Sequence, residues 1–287
     1  YKPYKLTQHQ FGLALFWILK GLSKKVIIGD YIAVNFIDRI FDNPTMFTGF
    51  ENLMALYGYS LQVYADFSGY TDIAIGVALL MGFTLPVNFN SPYKAKNVGE
   101  FWKRWHISLS SWLKDYLYIP LGGNRGGSAG TWIALGFIIA FIVLLSGKMI
   151  VLYGILGVVA VAVLLALWIK PFRSWLTTNI NLLITMLLGG LWHGASWQFV
   201  IWGGLNGLGI IVYKLWRKVS PYEKLNNVLS VVLKIFITFN FITFTRIWFR
   251  AENMESTWQI IDQIKNSFSP ELIPQILSSY SNVFIVM

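Results

Sequence analysis

Residues Leu187 to Trp197, with the sequence LLGGLWHGASW, are the stretch around which the rest of the chain is organised. They lie inside an apolar run from Leu182 to Trp202. Because an ionisable residue is costly to place at membrane depth, His193 in this run is a candidate functional residue. The three glycines beside it remove side-chain bulk, so another backbone or a ligand can approach the imidazole. The alternative is a buried histidine that hydrogen-bonds to a neighbouring helix.

The composition is that of a helical membrane protein. Of the 287 residues, 55% are hydrophobic and only 13% are charged, and the mean hydropathy is +0.56. Backbone polar groups must be satisfied inside the bilayer, and the apolar runs are too long and too little alternating for barrel strands. We therefore predict an all-α, multi-pass integral membrane protein.

Cysteine content and charge exclude several classes of function. The chain has no cysteine, which rules out disulfides, thiolate zinc sites and a cysteine nucleophile. The net charge of +10 and the isoelectric point near 9.6 are compatible with nucleic-acid binding. However, the basic residues are spread over short loops between apolar runs, as the positive-inside rule predicts. We expect the lipid bilayer, and no nucleic acid, as a partner.

Two uninterrupted apolar runs, Trp132–Ser146 and Met149–Trp168, follow each other closely. Arg125 precedes the pair and Lys170 follows it, which favours a cytoplasmic location for both outer ends. Residues 132–168 are therefore predicted to form a transmembrane hairpin. Nothing in it carries chemistry.

Other segments give further predictions of helices. Phe11–Leu19 and Val26–Ile40 are apolar but interrupted by lysines, which favours a broken or interfacial pair. Val228–Phe249 is predicted to be a full-length span, and Glu252–Phe268 an amphipathic surface helix.

A polar centre, Asp66 to Asp72, separates the apolar segments Phe50–Tyr64 and Ile73–Leu85. Two carboxylates in such a setting need charged partners or water. We rank a structural ion pair with a nearby lysine or arginine ahead of catalysis. An ion or proton relay is the other interpretation.

The segment Phe101–Leu117 has the pattern of one amphipathic helix at the membrane interface, with His106 at the edge of its apolar face. The glycine-rich loop Ile119–Gly127 follows it. Its backbone amides could cradle an anion, but it lacks the lysine and hydroxyl residue of a P-loop.

The chain has three histidines, at positions 9, 106 and 193. His9 lies in a polar segment and is expected to be solvated. Helices could bring His106 and His193 to one buried site, where desolvation would keep them neutral and one could act as a general base. No two histidines have the spacing of metal ligands on a helix, so we predict no metal site.

Five stretches, which occur in the same order as in a known family, carry a resemblance: Gly21–Asp30, Tyr64–Ala74, Phe101–Arg125, Leu187–Gly207 and Trp248–Ala251. The chain resembles the membrane-bound O-acyltransferases (MBOAT), and within them the bacterial alginate O-acetyltransferase branch. The resemblance implies that His193 matches the family's essential histidine and that His106 matches its second polar active-site residue. It also implies a core of tilted, partly re-entrant and interfacial helices around a channel.

The same resemblance implies the reactants and the location. An acyl group, in particular acetyl, would pass from cytoplasmic acetyl-CoA or another acyl-CoA to an extracytoplasmic polysaccharide such as alginate. Acyl-CoA would be a co-substrate, with no bound cofactor. A periplasmic or surface acetyltransferase partner protein would complete the transfer at the bacterial inner membrane. The candidate substrate-binding residues are Asp66, Ser68, Tyr70, Asp72, Lys103, Arg104, Asn124, Arg125 and Trp192.

The chain also departs from the family pattern. We expect residues 1–287 to form a single MBOAT-like membrane domain that lacks the family's N-terminal helices. The hairpin 132–168 stands where the family has a shorter connection.

The rival function is a transporter or channel with Asp66, Asp72 and His193 as a relay, although no repeated halves are visible. A scaffold that has lost activity is a third interpretation.

Overall fold

The structure is a computed structural model, and it describes residues 5–146 and 149–287. Within these residues the chain is helical and contains no β-strand, which confirms the all-α fold class. The helices are α1 (Gln8–Ser23), α2 (Asp38–Asp42), α3 (Gly49–Leu80), α4 (Val98–Arg104), α5 (Ile107–Leu113), α6 (Ala129–Ser146), α7 (Met149–Trp168), α8 (Lys170–His193), α9 (Trp197–Val219), α10 (Val228–Arg250), α11 (Met254–Asn266), α12 (Ile273–Ser279) and α13 (Ser281–Val286).

The chain forms two compact units, which we describe separately. The first unit combines the chain up to Ser108 with Lys224–Met287, and the second unit is Leu109–Glu223. Helices α1 to α4 and α10 to α13 belong to the first unit, and α6 to α9 to the second. The prediction of a single membrane domain with an inserted hairpin stays a prediction.

Three helices of the described chain, α8, α9 and α10, are long and apolar enough to cross a membrane. The bounds of α10 confirm the predicted span Val228–Phe249. In the predicted hairpin, α6 and α7 contain shorter apolar segments, Ala129–Ala140 and Leu152–Trp168. The connection between them, Gly147-Lys148, lies outside the described residues.

The N-terminal helix of the first unit is continuous, which corrects the break that was one of the two alternatives, a broken or an interfacial pair. It begins at α1 with a capping box between Thr7 and Gln10. It then runs through π-helical turns at Lys24–Asp30 and Ala33–Ile37 into α2. Wide turns of this kind accommodate an extra residue without ending the helix.

Helices α1 and α3 pack closely through small residues. A Cβ atom on Gly21 would lie 2.5 Å from the carbonyl oxygen of Gly69, and one on Gly76 would lie 2.6 Å from that of Ala14. Only glycine permits backbones to approach this closely, and membrane helices use such contacts widely. The contact brings the lysines at the end of α1 beside the polar centre of α3.

Helix α10 is fixed to α3 by polar contacts within the first unit. The hydroxyl oxygens of Ser60 and Thr243 are 3.0 Å apart, and the Tyr57 hydroxyl donates to Asn240. Helix α11 follows α10 and confirms the predicted amphipathic helix after Glu252.

The second unit is built around the antiparallel pair α8 and α9. A Cβ atom on Gly190 would collide with the carbonyl oxygen of Phe199 and lie 3.2 Å from the Cα of Gly203. On another face of α8, the Asn181 amide donates to the carbonyl oxygens of Gly123 (3.2 Å) and Gly126 (2.9 Å), so α8 also fixes the glycine-rich loop.

Candidate active site

His193 is the last residue of α8. Gly194, with an extended backbone, ends the helix, and Ser196 caps α9 by accepting a hydrogen bond from the Gln198 amide (3.3 Å). The helices are therefore joined by three residues, and His193 lies at the turn of a tight helical hairpin. Helix connections this short place neighbouring helices antiparallel.

Aromatic rings surround the His193 imidazole. Its ring centroid lies 5.0 Å from that of Trp192, 5.2 Å from Trp202 and 6.3 Å from Phe199. Trp202 is buried, Trp192 is 61% exposed, and His193 itself is half-buried. The imidazole is thus partly shielded but still reachable, as a general base must be.

The glycines beside His193 serve helix packing. Gly190 admits the backbone of α9, and a Cβ atom on Gly194 would lie 2.5 Å from the Phe199 ring. Both glycines are therefore occupied by contacts with α9, while the approach of a ligand stays a prediction.

His106 lies in a break between two short helices, which corrects the predicted continuous helix Phe101–Leu117. Helix α4 ends at Arg104 and α5 begins at Ile107. His106 has a φ of +44°, in the left-handed region. Residues other than glycine rarely adopt this region, although histidine is among the more tolerant.

The loop before α4 holds both sides of the break. The Ile107 amide donates to the carbonyl oxygen of Asn88 (3.0 Å), and the Ser108 amide donates to the Asn88 Oδ1 atom (2.9 Å). On the other side, the Asn90 amide donates to the carbonyl oxygen of Arg104 (2.9 Å). These contacts are distant in sequence, so the periodicity of 101–117 does not reveal them.

The His106 ring packs against Phe67 of α3, with centroids 4.6 Å apart and nearly perpendicular planes. His106 is half-buried and lies outside the three candidate spans. Burial lowers the pKa of its imidazole below the ordinary value of 6.5, because the charged form loses hydration. The neutral form, which can accept a proton, is therefore favoured near pH 7.

Asp72 and Asp66 of α3 form ion pairs with lysines, as the sequence predicts. The Asp72 carboxylate is 2.7 Å from the Lys24 ammonium and 3.4 Å from that of Lys20. The Lys25 ammonium bridges Asp66 (2.9 Å) and Asp30 (2.7 Å). Both carboxylates are neutralised by lysines, which argues for a structural role and against a relay.

The other two candidates of the polar centre differ in exposure. Ser68 is buried at 1% exposure, whereas the Tyr70 side chain is 67% exposed. A shared binding surface for these residues stays a prediction.

The basic candidates have different surroundings. Arg104 donates to Glu100 (2.7 Å) and to the carbonyl oxygen of Asn90 (3.2 Å), so it stabilises the break at His106. Lys103 and Arg125 are exposed, and the Asn124 Oδ1 atom accepts a hydrogen bond from the Tyr118 hydroxyl (2.7 Å). Phosphate binding by these residues stays a prediction.

The glycine-rich loop uses its amides internally. The amides of Gly122, Gly123 and Arg125 donate to the carbonyl oxygens of Ile119, Tyr118 and Gly122, respectively. These three donors are therefore not available for an anion, and anion binding by the loop, a weak motif in the sequence, would have to use its other amides. Among the described residues, no group of three His, Asp or Glu side chains is placed to hold a metal ion.

Sequence reasoning missed the role of Arg246 in α10. The residue is 5% exposed, and its guanidinium lies 4.8 Å from the Trp105 ring centroid. A buried cation in an apolar span is a signal of function in its own right. The sequence shows the cation within the span but gives no sign of its contact with the residue beside His106.

Comparisons with known proteins show the family of the chain. Residues 1–163 match the family described as MBOAT, membrane-bound O-acyltransferase. The chain is 38% identical over 256 residues to a peptidoglycan O-acetyltransferase of Helicobacter pylori, and 37% identical over 258 residues to a probable alginate O-acetylase AlgI of Pseudomonas aeruginosa. Each alignment covers 89% of this chain and 39% of the relative.

A third relative is named for a different activity. It is a teichoic acid D-alanyltransferase of Bacillus subtilis, 31% identical over 232 residues, which cover 79% of this chain and 48% of the relative. The chain thus spans about two fifths to one half of the length of the curated relatives that it matches. Because the family match extends over more than half of the chain, this protein belongs to the membrane-bound O-acyltransferase family.

Proposed function

We propose that the protein transfers an acyl group, specifically acetyl, from a cytoplasmic acyl-CoA to a hydroxyl group of an extracytoplasmic polysaccharide. The names of the relatives support this choice, since two are O-acetyltransferases or O-acetylases of peptidoglycan or alginate. The observation that carries the proposal is the half-buried His193 imidazole, which packs against the rings of Trp192 and Trp202.

Charge distribution supports the sidedness of the reaction. The end of α8 remote from His193 carries Lys170 and Arg173, and the corresponding end of α9 carries Arg217 and Lys218. The positive-inside rule assigns these ends to the cytoplasm, and His193 to the opposite face. We propose that the acceptor reaches His193 from that face of the bacterial inner membrane, in a multi-pass protein.

In the proposed reaction, neutral His193 accepts the proton of the acceptor hydroxyl while the hydroxyl oxygen attacks the thioester carbonyl. The tetrahedral intermediate then collapses, the carbon–sulfur bond breaks, and the coenzyme A thiolate takes the proton from the imidazolium. The products are an acetyl ester and free coenzyme A. His106 is proposed as the second polar group, which orients the acceptor or stabilises charge on the carbonyl oxygen.

A partner protein on the periplasmic side is also part of this proposal. Transfer to a polymer outside the membrane requires the acetyl group to reach hydroxyls along an extended chain. A surface acetyltransferase partner would distribute the group along the polymer.

The test compares the full-length protein in its host with the variants His193→Ala and His106→Ala. Ester-linked acetyl on cell-surface polysaccharide is measured, and membrane levels are checked by blot. Loss of a general base is expected to lower acetylation by about 10²- to 10⁴-fold. His9→Ala is the matched control, because His9 is exposed in the N-terminal segment. Unchanged acetylation in both histidine variants would overturn the assignment.

A further inference from the structure

Arg246 is a buried cation whose hydrogen-bond acceptors are neutral. It is 5% exposed, and its Nη1 atom donates to the carbonyl oxygen of Ser60 (3.1 Å) and to the Tyr93 hydroxyl. Within the described part of the chain, no Asp or Glu forms an ion pair with it. By contrast, Arg250, one turn later in α10, is 2.8 Å from the Asp38 carboxylate.

A buried charge without a counter-ion is unfavourable for stability, because it loses hydration without gaining a Coulombic partner. Two aromatic faces compensate in part: the guanidinium carbon lies 4.8 Å from the Trp105 centroid and 5.3 Å from the Tyr93 centroid. An arginine cation over an indole is a favourable and directional contact. Arg246 therefore restricts the position of the Trp105 ring more tightly than an apolar side chain in its place would.

Trp105 is held in place by further contacts and directly precedes His106 in the chain. Trp105 is 8% exposed and also packs against Phe89 (5.0 Å) and Phe101 (5.5 Å). His106 has its φ of +44°, a conformation that persists only where the surroundings impose it. Asn88 binds the amides after His106, and Arg246 holds the ring before it.

We propose that Arg246 is a positioning residue, which holds Trp105 and, through it, the His106 imidazole in the orientation needed for acyl transfer. This inference rests on the proposed function of His106. Arg246 would then contribute to turnover without touching a substrate. Its positive charge over the indole is the property that matters.

The experiment uses full-length protein in membrane preparations, with acetyl-CoA and cell-wall polysaccharide from the host, and measures kcat and KM for acetyl-CoA. Arg246→Gln should lower kcat by about 10- to 100-fold, since small misplacements of catalytic groups have effects of this size. KM for acetyl-CoA should stay within about threefold, and Arg246→Lys, which keeps the cation, should recover most of the loss.

Lys234→Gln is the matched control. Lys234 is another buried cation of α10, 6% exposed, which donates to the carbonyl oxygen of Leu225 (2.9 Å). Both glutamine variants remove a buried charge from the same helix. Only Arg246→Gln should lower kcat per molecule of folded protein.

A double-mutant cycle with Trp105→Leu separates positioning from general destabilisation. If Arg246 acts through Trp105, the double variant should be no slower than the slower single variant. If the two losses multiply, or if Arg246→Gln retains normal kcat, the inference is wrong. His106→Ala is measured in parallel: if it is fully active, the proposed function of His106 fails, whereas an inactive His106→Ala beside a normal Arg246→Gln overturns only the inference about Arg246.

Discussion

His193 ends a helix of 24 residues with a regular backbone, whereas His106 occupies a gap between two helices of seven residues each with a positive φ. The first region depends on local features, since Gly190 and Gly203 allow the backbones of α8 and α9 to pack closely against each other. The second region depends on contacts from distant residues, namely Asn88, Phe67 and Arg246. A histidine can therefore be fixed either by close helix packing or by hydrogen bonds and ring contacts around a strained backbone.

The largest stability effect is expected at the glycine contact of the His193 hairpin. Gly190→Ala places a methyl group against the Phe199 carbonyl, so the helices must separate, which should cost about 1–3 kcal/mol. Gly154→Ala in α7 is the matched control, because no atom lies within 4 Å of the place its methyl group would take and alanine favours helix by up to about 1 kcal/mol. Thermal unfolding of the solubilised protein is the measurement. Equal midpoints for the two variants would show that tight packing does not hold His193.

The sequence was sufficient for features set by local pattern. The α10 span and the amphipathic α11 follow from hydrophobic periodicity, and the close approach at Gly190 follows from the absence of a side chain. An ion pair between Asp72 and some lysine or arginine was predicted. Its partner Lys24 is 48 residues away and could not be identified from the sequence.

The break at His106 could not be predicted, for a physical reason. Residues 101–117 have good helical periodicity, and the bonds that interrupt the helix come from the loop that contains Asn88 and Asn90. Likewise, the internal hydrogen bonds of the Gly122, Gly123 and Arg125 amides could not be predicted, because they depend on the backbone conformation of the loop. Which histidines carry the chemistry stays a prediction in both regions.

The next prediction concerns Asn88. Asn88→Ala removes the acceptor for the Ser108 amide and should cost about 1 kcal/mol of stability. Asn97→Ala is the matched control, since the Asn97 Oδ1 atom accepts from the Glu100 amide (2.8 Å) as the cap of α4 and should cost a similar amount. Polysaccharide acetylation should fall only in Asn88→Ala, because only this bond adjoins His106. A parallel fall in both variants would assign the loss to stability alone.

The glycine variant should be more stable than the alanine variant at position 106 and less stable at position 193. At position 106, His106→Gly relieves the positive φ and should be more stable than His106→Ala by about 1 kcal/mol. At position 193, which is helical, His193→Gly should be less stable than His193→Ala by about 0.5 kcal/mol. Unfolding midpoints of the four variants give both differences. The same ranking at both positions would contradict the strained backbone at His106.

The smallest effect is expected in the pH dependence of stability. Burial lowers the pKa of His106 below 6.5, so between the lowered value and 6.5 the unfolded chain binds more protons than the folded protein. The free energy of unfolding should therefore decrease as the pH falls through this window. His106→Asn removes the titrating group and keeps a residue that tolerates positive φ, so its stability should fall less than that of the wild type.

Unfolding midpoints between about pH 7 and pH 5 provide the measurement, because histidine titrates in this range. A steeper loss in His106→Asn than in the wild type would mean that the folded protein favours the imidazolium at position 106. A cation there cannot accept a proton from an acceptor hydroxyl. Its role would then be restricted to stabilising negative charge on the carbonyl oxygen, which leaves His193 as the base.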